Sequence, residues 1–175
     1  MRRNENEALL YETLYALSKK DENKAFLMYN MVALKADITR TLPEIMSQLI
    51  EVTGFDSYLI SETYYRIRNS FSSYRFDFSI ISETDPLWPK ALINSDVHFL
   101  YLVGNKDLLS TNKVALRGLR VPSDDGKNNA VNAVHELLNA GATLVTTLDV
   151  GLDHFSASYA LSNGVPTILV LSSPL

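Results

Sequence analysis

The 175-residue chain contains no cysteine, which excludes a disulfide framework and any thiolate-bound zinc. Its three histidines, His98, His135 and His154, lie far apart in sequence and show no metal-ligand spacing, so no metal site is expected. Long apolar runs are also missing. The first seven residues, Met-Arg-Arg-Asn-Glu-Asn-Glu, pass directly into an amphipathic stretch without the apolar core of a signal peptide. No later segment approaches the roughly 18 apolar residues of a membrane span. These absences point to a cytoplasmic protein with no membrane partner. An excess of positive charge is lacking as well: 16 basic against 20 acidic residues leave a net charge of −4. From Tyr101 onward, Lys106, Lys113, Arg117, Arg120 and Lys127 face six acids. Any nucleic-acid contact must therefore come from a local patch, because a global basic field is not available.

What remains is ordinary for a soluble globular chain, with 46% apolar and 21% charged residues. The length fits one compact domain or a small module leaning on a larger one. Residues 1–75 read as an all-helical N-terminal segment. Leu9, Leu10, Leu14 and Leu17 recur at helical spacing, and Asp21 is placed to cap a second helix carrying Phe26, Leu27, Met31 and Leu34. Thr41-Leu-Pro-Glu44 has the form of a capping box opening a helix with Leu42, Ile45, Met46, Leu49 and Ile50 on one side, closed by Gly54. Asp56 opens a stretch with Tyr58, Leu59, Tyr65 and Ile67. Its tyrosines are expected to pack against helices and not to form a base-stacking surface.

Residues 76–175 have a different texture. Phe76 to Ile81 alternates like a strand, Thr84 to Pro89 is turn-rich, and Phe99 to Val103 is a continuous apolar strand ended by Gly104-Asn105. A strand over 113–117, a polar loop from Gly118 to Gly126 and a helix with Ala130, Val131, Val134, Leu137 and Leu138 on one face follow. Ala140-Gly141 stops that helix. A strand over 143–147, a helix over about 153–162 and a strand over 165–171 complete the pattern. This alternation with short links predicts an α/β fold with a mostly parallel sheet and flanking helices.

In such sheets ligands bind at the carboxyl ends of the strands. Two loops qualify. Gly118 to Gly126 leads into a helix N-terminus, where free amides and the helix dipole attract anions. Arg120 is suited to a forked phosphate contact and Ser123 to a hydroxyl contact, while Asp124 and Asp125 oppose an anion there. Helix capping by Ser123 or Asp124 accounts for the same residues without any ligand. In the second loop, from Thr146 to Asp153, Gly151 permits close backbone approach, and Asp153 suits either a cap or a ribose hydroxyl. Neither loop carries the G-x-G-x-x-G or Walker A pattern, and no Ser-His-acid or paired-carboxylate spacing is present. No cofactor and no catalytic residue are expected, so the chain is read as a non-enzyme.

Four ordered segments resemble the DNA-processing protein A (Smf) family, which has a Rossmann-like domain. Asp85-Pro-Leu-Trp-Pro-Lys-Ala-Leu92 resembles its Tyr-Pro-x-x-Leu segment, with Trp88 in the tyrosine's place. Phe99-Leu-Tyr-Leu-Val-Gly-Asn105 resembles Leu-Tyr-x-x-Gly-Asn. Residues 114–126 resemble Val-Ala-Ile-Val-Gly-Ser-Arg-x-x-Ser-x-Tyr-Gly, and residues 146–161 resemble Ser-Gly-Leu-Ala-x-Gly-Ile-Asp-x-x-Ala-His-x-x-Ala-Leu. Arg120, Ser123, Gly126, Gly151 and Asp153 match these patterns. Leu119, Asp125, Thr147, Asp149 and Ala157 depart from them, and Thr147 with Asp149 crowds a phosphate pocket and makes it less positive.

The resemblance implies a non-enzymatic protein that binds single-stranded DNA and hands it to a recombinase during transformation or repair. Gly118, Arg120, Ser123, Gly126, Lys127, Thr146, Gly151 and Asp153 would form the phosphate site, with Arg117 as a helper. A nucleotide-ligand sensor and an interaction module with a decayed pocket use the same fold and remain open. Members of the family continue with further strands and helices, so a short divergent form or a fragment is expected, with an exposed sheet edge available to a homodimer or a partner chain.

Overall fold

The computed structural model describes residues 3–171. The chain forms two compact units, the first ending at Gly104 and the second starting at Asn105. The change in periodicity near residue 76 is therefore not where contacts divide the chain: the strands on either side of the Thr84–Pro89 turn group with the helices that precede them.

The first unit contains α1 (Arg3–Leu17), α2 (Glu22–Lys35), α3 (Leu42–Thr53) and α4 (Ser57–Ser72), followed by the antiparallel strands β1 (Ser79–Ser82) and β2 (Phe99–Leu102). Local chemistry sets the helix ends. The Asp21 carboxylate accepts from the Lys24 amide at 3.0 Å, and that of Asp56 accepts from the Leu59 amide at 2.8 Å. Glu44 reaches back to accept from the Thr41 hydroxyl at 2.5 Å and from the Thr41 amide at 3.0 Å, which together hold its carboxyl below the usual range, and Gly54 closes α3 in the left-handed region. Leu9, Leu10 and Leu14 of α1 are buried with Met28 and Val32 of α2, Leu42, Ile45 and Leu49 of α3, and Ile60 and Tyr64 of α4.

The apolar face of α2 differs from the expected one. Leu27, Met31 and Leu34 are exposed, Leu34 at 87%, whereas Ala25, Met28 and Val32 are buried. Both sets have helical spacing, so periodicity alone could not choose between them; the chosen face carries Ala25, whose small side chain permits close packing. Tyrosine placement also divides. Tyr65 meets Tyr64 edge-on, but Tyr58 is 76% exposed, so the packing role expected of it is corrected. Pairing of β1 starts at Ser79 because β2 ends opposite it at Leu102, which leaves Phe76 to Phe78 outside the ladder. Phe78 instead packs edge-on against Phe71 and Tyr74. Trp88 is buried, and its indole N–H has no acceptor among the described residues.

The second unit is a parallel sheet in the order β3 (Lys113–Ala115), β4 (Thr143–Thr147), β5 (Thr167–Val170), with α5 (Asp124–Ala140) and α6 (Leu152–Ser162) as crossovers. Its core joins Val134 and Leu137 of α5, Ala142, Leu144 of β4, Ala160 of α6 and Val165. Leu138, expected on the same face, is exposed at 43%. The helix α5 begins two residues before Gly126, which therefore lies in the first turn and not at the end of the loop. The mixed α/β class, the helical N-terminal segment and the parallel sheet with flanking helices are as the sequence pattern predicts. Among the described residues, no helix is long and apolar enough to cross a membrane, and no group of His, Asp and Glu is placed to hold a metal.

Candidate functional site

Two loops leave the carboxyl ends of neighbouring strands β3 and β4 and pack on each other. The first begins at Leu116, whose amide still donates to the Val145 carbonyl at 3.0 Å. Gly118 follows, and a Cβ there would lie 2.1 Å from Leu152 Cδ2, so the leucine side chain occupies the space a larger residue would need. At Gly151, φ is +114°, and an added Cβ would sit 2.4 Å from the Leu119 carbonyl oxygen. The Leu152 amide donates to that same oxygen at 3.0 Å. The two loops thus meet backbone to backbone.

Asp153 is the centre of this junction. It is 3% exposed, and its Oδ1 accepts from the Gly118 amide at 2.8 Å. Its Oδ2 accepts from the Thr147 hydroxyl at 2.8 Å and from Arg117 Nε at 3.4 Å. Burial pushes the Asp153 carboxyl up, but the bonds from Thr147, Gly118 and Arg117 outweigh it and hold the group below its ordinary value. The residue at the N-cap of α6 is Gly151, and no side chain caps that helix. The carboxylate is directed instead at the preceding loop. Thr146 acts in parallel: nearly buried, its hydroxyl donates to the Leu116 carbonyl at 2.9 Å.

Around this junction lie the charged groups. Ser123 caps α5, accepting from the Gly126 amide at 3.1 Å. The amides of Asp124 and Asp125 stand in the first turn, where a helix supplies no acceptor. Lys127 Nζ lies 3.4 Å from the almost fully exposed Asp124 carboxylate. Arg117 is held between Asp153 and Asp149, with its Nη2 3.6 Å from Asp149 Oδ2. Arg120 is exposed and has no ion-pair partner among the described residues. Leu119, Val121, Leu148 and Val150, also exposed, give the rim an apolar component. Of the eight residues singled out from sequence, Gly118, Thr146, Gly151 and Asp153 meet at the loop junction. Ser123, Gly126 and Lys127 form the first turn of α5, and Arg120 lies on the loop between these groups. Sequence reasoning did not single out Leu152, whose contact with Gly118 crosses more than thirty residues and leaves no local signal.

A family model described as DNA recombination-mediator protein A matches residues 79–175. The chain belongs to the DNA recombination-mediator protein A family. Within the same comparisons it is 32% identical over 118 residues to the "DNA processing protein DprA" of Streptococcus pneumoniae (strain ATCC BAA-255 / R6), covering 65% of this chain and 41% of that protein. It is also similar to the X-ray structure of DNA processing protein A (DprA) from Streptococcus pneumoniae, at 25% identity and a TM-score of 0.56, over 97% of this chain and 55% of that one. The chain thus spans about half the length of these relatives. The family match spans both loops, where Leu119, Asp125, Thr147, Asp149 and Ala157 differ from the patterns that the sequence resemblance suggests. The structure explains one of them: Thr147 supplies a hydroxyl to Asp153.

Proposed function

We propose that this chain is a non-enzymatic, single-stranded DNA-binding protein of DNA processing and recombination, which presents the strand to a recombinase. Family membership supports the DNA-processing role, and the single observation that carries the site is the exposed guanidinium of Arg120, without an ion-pair partner among the described residues, on the loop that leads into the Ser123 N-cap of α5. Five N–H donors in a planar fork match a phosphate, and the free amides of the first turn add donors of the same sign. In this reading Arg120, Ser123, Lys127 and the free amides between Gly118 and Gly126, those of Asp124 and Asp125 among them, touch the DNA backbone. Thr146, Gly151 and Asp153 hold the loop in position. The apolar rim of Leu119, Val121, Leu148 and Val150 gives bases an aliphatic surface to lie on, with no hydrogen bonds that would select a sequence.

The test is fluorescence anisotropy of a labelled single-stranded oligonucleotide, titrated with the full chain at low and at near-physiological salt. Micromolar or tighter binding that weakens steeply with salt is expected. No binding at low salt would refute the proposal. A nucleotide-ligand reading of the same loops is tested in the same buffer by thermal shift over a panel of nucleotides, where stabilisation would follow RT ln(1 + [L]/Kd).

A further inference from the structure

The ion pair between Arg117 and Asp149 joins the two loops at their mouth, and its acid has the sign of the ligand proposed for this site. Arg117 stands at the carboxyl end of β3 with its side chain 71% exposed, and Asp149 is 57% exposed on the loop after β4. The second partner of Arg117, Asp153, already accepts from Gly118 and Thr147, so it is committed to the fold. Asp149 is not. Its backbone is engaged, with the amide donating to Thr147 Oγ1 and the carbonyl accepting from the His154 amide, but the only partner of its carboxylate among the described residues is Arg117. The charges that frame the loops are Arg117, Arg120 and Lys127 against Asp124, Asp125, Asp149 and Asp153, one more negative than positive.

We propose that the Asp149 carboxylate is a built-in competitor for phosphate at Arg117, so that this side chain lowers the affinity of the site for a nucleic-acid backbone. The inference rests on the DNA-binding reading given above. A phosphate that approaches Arg117 must either displace the carboxylate or be held near it, and both cost more at low ionic strength, where charges a few ångströms apart are least screened. Arg117 is thereby a reserve cation. It is held in place by Asp153 and neutralised by Asp149, and it becomes available when the Asp149 charge is removed.

The experiment compares wild type, Asp149→Asn, Arg117→Ala and the double variant in the anisotropy titration, with single-stranded DNA at several salt concentrations. Asp149→Ala serves as a second variant should the asparagine form not fold. Removing the charge is expected to tighten binding about fivefold at low salt, with the gain shrinking at high salt, so that the salt slope steepens by up to about one. Arg117→Ala alone is expected to change binding little, and combined with Asp149→Asn it should abolish the gain. Unchanged affinity in Asp149→Asn overturns the proposal, as does a gain that survives loss of Arg117, which would be a general field effect. Arg120→Ala separates the two ideas. If it weakens wild-type binding while Asp149→Asn does nothing, the DNA-binding reading stands and this one falls. If no variant binds DNA at low salt, both fall.

Discussion

The Gly118 amide donates to the Asp153 carboxylate at 2.8 Å, linking the loop after β3 to the first turn of α6 across the sheet. A glycine allows this approach because Leu152 fills the space where a side chain would stand. The loop that carries Arg120 is therefore shaped by a buried acid thirty-three residues further along the chain.

Asp153→Asn is expected to destabilise the second unit by about 1–3 kcal/mol at neutral pH, since an amide cannot accept from Gly118, Thr147 and Arg117 together. Folding lowers this carboxyl below its ordinary value. Its bonds therefore stabilise the native chain above the carboxylate range of an unfolded chain, about pH 4, and the contribution disappears as pH falls through the depressed value. Urea unfolding at neutral pH and near pH 3 checks this: the gap between wild type and variant should narrow in acid.

Gly151→Ala should cost roughly 2–4 kcal/mol, because it joins an unfavourable positive φ to a clash with the Leu119 carbonyl. Thermal melts followed by far-ultraviolet circular dichroism would show it. A variant as stable as wild type would mean that the two loops part without cost.

Arg120→Ala should weaken single-stranded DNA binding at all sequences to a similar degree and reduce the salt slope by about one. The check is a set of titrations with oligonucleotides of different base composition. An unchanged slope would remove Arg120 from the contact surface.

Leu34→Ser on the exposed side of α2 should change stability by no more than about 0.5 kcal/mol. Leu49→Ala, at a fully buried position in α3, should cost about 2–5 kcal/mol. Chemical denaturation of both variants compares an apolar residue that faces water with one that does not.

The helix ends were the most legible part of the sequence, because Asp21, Thr41 with Glu44, Asp56 and Ser123 act on amides within three residues of themselves. The strand over 143–147 was legible for a similar reason, as a short run rich in β-branched residues between Gly141 and Gly151. Faces were harder. On α2, the residues Leu27, Met31 and Leu34 satisfy the same periodicity as the buried set, and the packing of α1 and α3 against the helix decides between them. At the loops the sequence offered caps and ligands for the same side chains. The direction in which Asp153 points depends on Gly118 and Thr147, a relation between two strand ends that no local spacing encodes.

Trp88, buried in the first unit, is the one tryptophan of the chain, and of the nine tyrosines only Tyr159 lies beyond Gly104. Intrinsic fluorescence is consequently a reporter of one half of the molecule. An unfolding curve read from tryptophan emission would follow the helices and their hairpin while passing over the sheet that carries Arg120, Asp149 and Asp153. A loop variant could then look native by emission while its own unit had melted.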